Sequence, residues 1–166
     1  MTVASAPIER FLFADEIEAE QTWALLAWCH ARGASELSLD LLGLADTAEP
    51  FCDRFRAAAA AFALPDAPRE HVVTYSGQLV VRAAPLWRLT PQSIDLLRQF
   101  LDEGLFTYPA GDWETGWIEN PTFYRESEIM LGIVSHEREG VLRLRPAEMA
   151  GITALGIPSR DRPEWI

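Results

Sequence analysis

Apolar and polar positions follow two different periods along this chain. Leu37, Leu39 and Leu41 alternate with Ser38 and Asp40, the period of a strand with one buried face. Arg10–Phe13 reads as a short strand before it. Between them Ile17, Ala24, Leu25 and Trp28 recur at helical spacing. That predicted helix opens at Asp15 as the cap, with Glu18 closing a capping box, and stops at Gly33. A second helix opens at Pro50 and places Phe51, Phe55, Ala58 and Phe62 on one side before Pro65 ends it. The alanine run 57–61 supports it by propensity alone.

The second half carries more strand signals. His71–Tyr75 and Gln78–Arg82 form a predicted hairpin across Ser76-Gly77, and Leu86–Leu89 reads as another strand. Thr90-Pro91 starts a third helix with a stripe of Ile94, Leu97, Phe100 and Leu101, ended by Gly104. Tyr108 to Gly111 reads as loop, and Trp117–Tyr124 as a strand interrupted by Asn120-Pro121. Glu128–His136 and Gly140–Arg145 pair across a turn, and Pro146 begins a last helix reaching Leu155. These elements predict an α+β fold: a largely antiparallel sheet with about four helices packed mainly on one face. Residues 1–166 are read as one domain, with a subdomain junction possible near 65–70, where Pro65 to Pro68 resembles a surface linker, and a polar tail over 158–166.

Composition narrows the chemistry by exclusion. All 14 basic residues are arginine, against 25 carboxylates. Without lysine there is no P-loop, no protein-kinase strand lysine, no Schiff base and no Ser-x-x-Lys nucleophile. No Gly-x-Gly-x-x-Gly or nucleophile elbow occurs. Cys29 and Cys52 read as reduced packing thiols, and no metal or cofactor motif is present. The net charge of −11 disfavours nucleic acid and anionic lipid and favours a basic partner. The first residues lack a signal-peptide pattern and the apolar runs are short, so a cytoplasmic, non-membrane protein is expected.

One segment stands apart. Residues 112–124 hold two tryptophans, a phenylalanine, a tyrosine and three carboxylates in thirteen positions. Aromatic anchors are the usual energetic centres of interfaces, and carboxylates around them select basic partners. The expected partner-binding residues are therefore Asp112, Trp113, Glu114, Trp117 and Glu119. The function this predicts is binding of a basic protein, for example in an immunity- or adaptor-type role. A second reading is a hydrolase in which His136, with Glu137 or a neighbouring glutamate, acts as general base. A third is a homo-oligomeric, for example homodimeric, structural domain. Motifs and charge together favour binding over catalysis.

Overall fold

The computed structural model describes residues 6–72 and 79–164. The chain order is β1 (Ile8–Phe13), α1 (Ala19–Ala31), β2 (Glu36–Leu42), α2 (Pro50–Ala59), β3 (Ala63–Val72), β4 (Leu79–Arg88), α3 (Pro91–Phe100), β5 (Ala110–Asp112), β6 (Gly116–Arg125), β7 (Glu128–Val134), β8 (Glu139–Leu144) and α4 (Met149–Ala154). The strands form one 8-stranded sheet in the order β1-β8-β7-β6-β2-β4-β3, with β5 paired to β6. Every pairing is antiparallel. The α+β architecture anticipated from the pattern is the one observed. No helix among the described residues is long and apolar enough to cross a membrane.

Local chemistry explains most boundaries, and two expectations need correction. The cap of α1 is Glu18, not Asp15: the Glu18 N–H donates to Gln21 Oε1 at 2.9 Å, closing a capping box three residues further on. Asp15 instead sits in a one-turn 3-10 helix, Ala14–Glu16. Pro65 and Pro68 lie not in a linker but inside β3. That strand is at the sheet edge, where a missing N–H costs nothing on the outward side. A register shift between Leu64 and Ala67 absorbs the disturbance. The hairpin of β3 and β4 closes at Val72 and Leu79, and the expected Ser76-Gly77 turn lies outside the described residues. Thr90 caps α3 as its sequence suggests, accepting from the Ser93 N–H at 3.1 Å.

The two faces of the sheet are covered differently. Leu25, Leu26, Phe55, Ile94, Leu97 and Ile152 of the four helices pack on one face against Leu37, Leu39, Ile118, Phe123 and Leu131. On the other face Phe11, Tyr124, Ile129, Val134 and Val141 meet Val72 and Leu86 from the β3–β4 hairpin, which curls over them. The Tyr124 hydroxyl donates to the Glu70 carbonyl at 2.9 Å and anchors that curl. A Cβ on Gly132 would come within 2.9 Å of Val72 Cγ2, so β7 stays bare where the curled strand crosses it. The tail is not free: Phe11 and Arg160 exchange both backbone hydrogen bonds, at 2.8 and 2.9 Å, and cover the outer edge of β1. The terminal Trp165-Ile166 lies outside the described residues.

A buried ion pair ties the sheet to the last helix. Arg125 Nη1 donates to Glu148 Oε1 at 2.7 Å, and the Arg145 N–H donates to Glu148 Oε2 at 2.8 Å. Burial alone would raise this carboxyl, but the hydrogen bonds from Arg125 and Arg145 outweigh it and hold it below the usual carboxylate range. A lowered carboxyl stabilises the fold above the unfolded glutamate value of about 4.3 and loses that contribution as pH falls through the folded value. Glu148→Gln therefore leaves the largely buried Arg125 without its counter-charge. It is expected to lower unfolding free energy at pH 7 by about 2–4 kcal/mol. Denaturant titrations should also show a shallower loss of stability between neutral and acid pH in the variant than in the native chain.

Candidate functional site

The acidic aromatic segment folds into a short hairpin, β5–β6, and its shape is set by residues other than the tryptophans. Asp112 Oδ1 accepts from the Glu114 N–H at 2.9 Å, the Thr115 N–H at 2.6 Å and the Thr115 hydroxyl at 2.8 Å. These bonds hold the Asp112 carboxyl below its ordinary range, the Thr115 hydroxyl and amide contributing most. Gly111 and Gly116 have φ of +113° and +91°, and a Cβ at Gly116 would lie 2.8 Å from Cys52 Sγ. The Phe51 N–H donates to the Thr115 carbonyl at 3.0 Å and fastens the turn to the start of α2. Asp112 is thus a turn-former first, exposed though it is.

This turn holds Trp113 out from the fold. The residue is 47% exposed. It packs edge-on against Trp117, with centroids 4.6 Å apart, and against Tyr108 at 5.8 Å. Trp117 and Ile118 point to opposite faces of β6, as alternation requires. Ile118 is fully buried under the helices, and Trp117 is half-buried on the other side. Glu119, two residues on from Trp117, shares its face: the Trp117 indole N–H donates to Glu119 Oε1 at 2.8 Å.

His136 arrives from a different element. Ser135–Glu137 form a one-turn 3-10 helix after β7. Its position is fixed by Asn120, a residue with φ of 54° inside β6. The Asn120 N–H donates to Ser135 Oγ at 2.9 Å, and the Ser135 N–H donates to Asn120 Oδ1 at 3.1 Å. Asn120 Nδ2 also donates to Asp40 Oδ2 at 3.0 Å. The clamp brings His136 Nδ1 to 3.4 Å from Glu119 Oε2, with Glu137 Oε1 at 3.8 Å from His136 Nε2. Tyr108 completes the group, its ring 6.3 Å from that of His136. Burial, and then the charge of Glu119, pushes the Tyr108 hydroxyl above its ordinary value.

Six residues therefore gather on one surface: Tyr108, Trp113, Trp117, Glu119, His136 and Glu137. Glu114 sits exposed on the hairpin tip beside them. Tyr108 and Asn120 were not anticipated. Tyr108 precedes a proline in what reads as loop, and Asn120-Pro121 reads as a simple interruption. Glu119 is only 8% exposed, far more buried than a binding carboxylate on a strand surface suggests. Both cysteines are free and buried; burial pushes the Cys29 thiol up to about 12, which leaves it unreactive at neutral pH. Among the described residues no group of three or more His, Cys, Asp or Glu could hold a metal ion.

No protein-family model matches this chain, and no curated protein or solved structure matches it either.

The Asn120 clamp makes a test of this geometry. Asn120→Ala removes two side-chain hydrogen bonds and leaves a Cβ in a left-handed backbone, so it should lower unfolding free energy by about 2–3 kcal/mol in urea titration. Asn120→Gly loses the same bonds without the backbone strain and should fall by about 1 kcal/mol less. Equal losses would show that the backbone conformation is not what Asn120 is there to hold.

Proposed function

We propose that this protein is a binding module for a basic protein, in an immunity- or adaptor-type role, and that the contact surface is the one centred on Trp113, Trp117, Glu114 and Glu119. The observation that carries the reading is the exposed indole of Trp113, held beside a nearly buried carboxylate. Large aromatics with an apolar face and a polar edge are the residues that most often dominate binding energy. The net charge of −11 steers a basic partner toward the molecule and repels acidic ones. Asp112 contributes charge, yet its main part is to shape the hairpin that presents Trp113.

A general-base reading has one observation in its favour, the approach of His136 Nδ1 to Glu119 at 3.4 Å. The candidate nucleophile next to it is committed elsewhere: Ser135 is buried and its hydroxyl accepts from the Asn120 N–H. His136 itself is exposed, and a cleft of about 510 Å³ opens elsewhere, between α1 and α3 beside Trp23 and Ile94. Binding is the better-supported role.

The test uses the immobilised full chain and a soluble cell extract at low salt. Proteins of high isoelectric point should be retained and released as ionic strength rises past the ~0.1 M range where surface charge is screened over about 10 Å. Trp113→Ala is expected to weaken retention of the tightest such protein roughly thirtyfold, and Glu114→Lys to slow its association, with unchanged circular dichroism in both. Retention of neutral or acidic proteins, or of the same set by both variants, would defeat the proposal.

A further inference from the structure

Three arginines of this chain repeat one arrangement. Arg98 lies 5.5 Å over the Trp23 ring and pairs with Glu20 at 2.7 Å. Arg69 lies 6.0 Å over the Tyr124 ring and pairs with Glu36 at 2.8 Å. Arg160 lies 5.2 Å over the Phe13 ring and pairs with Glu16. In each, one planar guanidinium covers an aromatic ring and also reaches a glutamate. Guanidinium suits both tasks because it is flat, weakly hydrated and forked.

The surface around Glu119 has the ring and the glutamate but no guanidinium. Among the described residues no arginine pairs with Glu119 or lies over Trp113, Trp117 or Tyr108. Arg138, two residues beyond His136, turns to Asp15 at 3.9 Å instead. The ionic neighbour of Glu119 is His136, which carries charge only when both ring nitrogens are protonated. Glu148 is buried to a similar degree, at 7% exposed against 8%, and has Arg125 at 2.7 Å. Glu119, buried as deeply as Glu148, has no such fixed counter-charge. It has acceptor capacity to spare, since an ionised carboxylate offers about four lone-pair sites and Glu119 accepts one strong hydrogen bond, from Trp117.

We propose that an arginine side chain of the basic partner completes this fourth arrangement. Its guanidinium covers the exposed Trp113 ring, beside the half-buried Tyr108, and donates to Glu119. Trp113 packs against the same indole that hydrogen-bonds Glu119, so one extended side chain spans ring and carboxylate. This inference rests on the reading of the surface as a partner-binding face and names the group that enters it. Lysine fits less well: its compact, strongly hydrated ammonium stacks poorly on a ring and cannot bond a carboxylate through two parallel donors.

The experiment follows the tryptophan indole N–H signals of the ¹⁵N-labelled full chain during titration with three short peptides. These are Gly-Ser-X-Gly-Ser with blocked ends and arginine, lysine or citrulline at X; citrulline keeps the shape of arginine and loses its charge. The arginine peptide should shift the Trp113 and Trp117 signals saturably, at least about threefold more tightly than the lysine peptide. The citrulline peptide should not saturate. Glu119→Gln, nearly the same shape, should weaken arginine binding roughly tenfold or more. Should Glu119→Gln fail to fold by circular dichroism, Trp113→Ala, at an exposed position, serves in its place with the same expected loss. Equal binding of arginine and lysine, saturation by citrulline, an unaffected variant, or no saturable shift would each overturn the proposal. If these arms fail while basic proteins are still retained in a Trp113-dependent way, the arginine assignment falls and the binding surface stands. If both fail, the surface falls with it.

Discussion

The left-handed backbone at Asn120 puts one extra residue into β6 opposite β2, and both faces of the sheet depend on it. Asp40 faces Glu119, but Ser38 faces Thr122, so β6 gains a residue on β2 between the two pairs. Before the extra residue, Ile118 lies under the helices and Trp117 and Glu119 face the other way. After it, Phe123 lies under the helices and Tyr124 faces the curled hairpin. Strict alternation from Ile118 would have carried Thr122 and Tyr124 into the helix-covered core and turned Phe123 out. The same residue's amide and side chain hold Ser135, and Ser135 carries His136 to Glu119. Core phase and surface chemistry are thus settled by one backbone conformation.

Charge on this molecule is best judged by burial, not by count. With 25 carboxylates against 14 arginines, many acids must go without a partner. For exposed ones such as Glu114 that is inexpensive, because water solvates them and surface pairs contribute little. Glu36, Asp40 and Glu148, which are partly or well buried, each have an arginine. Glu119, paired with His136, and Glu139, whose Oε2 is buried without a hydrogen bond, depart from that pattern, and Glu119 does so where the aromatic rings are densest. An acid surplus by itself points nowhere; a buried acid without an arginine, beside an exposed indole, marks one place for the proposed contact.

Much of the fold was legible from pattern. The alternation in β2, the Thr90-Pro91 start of α3, the Pro50 start of α2 and the β7–β8 hairpin all follow from local rules that no distant contact overrides. What pattern missed was decided by tertiary context. Pro65 and Pro68 read as breakers, but an edge strand tolerates them, and only sheet order shows that β3 is an edge. Asp15 and Glu18 are both plausible caps, and Gln21, the residue that selects Glu18, looks unremarkable in sequence. The candidate site was half visible. Trp113, Trp117 and Glu119 could be read from local density, and His136 from its place at a strand end. Their meeting could not be, because it needs Asn120 to join β6 to the end of β7 and Tyr108 to fold in from before β5.

The hairpin that carries Trp113 argues that the ring is there for something other than folding. Its turn is made by the Asp112 carboxylate, the two positive-φ glycines and the tie from Phe51 to Thr115. None of these uses the indole. Trp113 buries part of one face against Trp117 and Tyr108 and leaves 47% of its surface in water, whereas Trp23 and Trp87 are 5% and 7% exposed in the core. A tryptophan that stabilised the fold by burial would be placed as those two are. Held half-open at the tip of a turn built by its neighbours, with a carboxylate behind it, Trp113 has nearly half of its area still to bury, and the proposed partner contact would bury it.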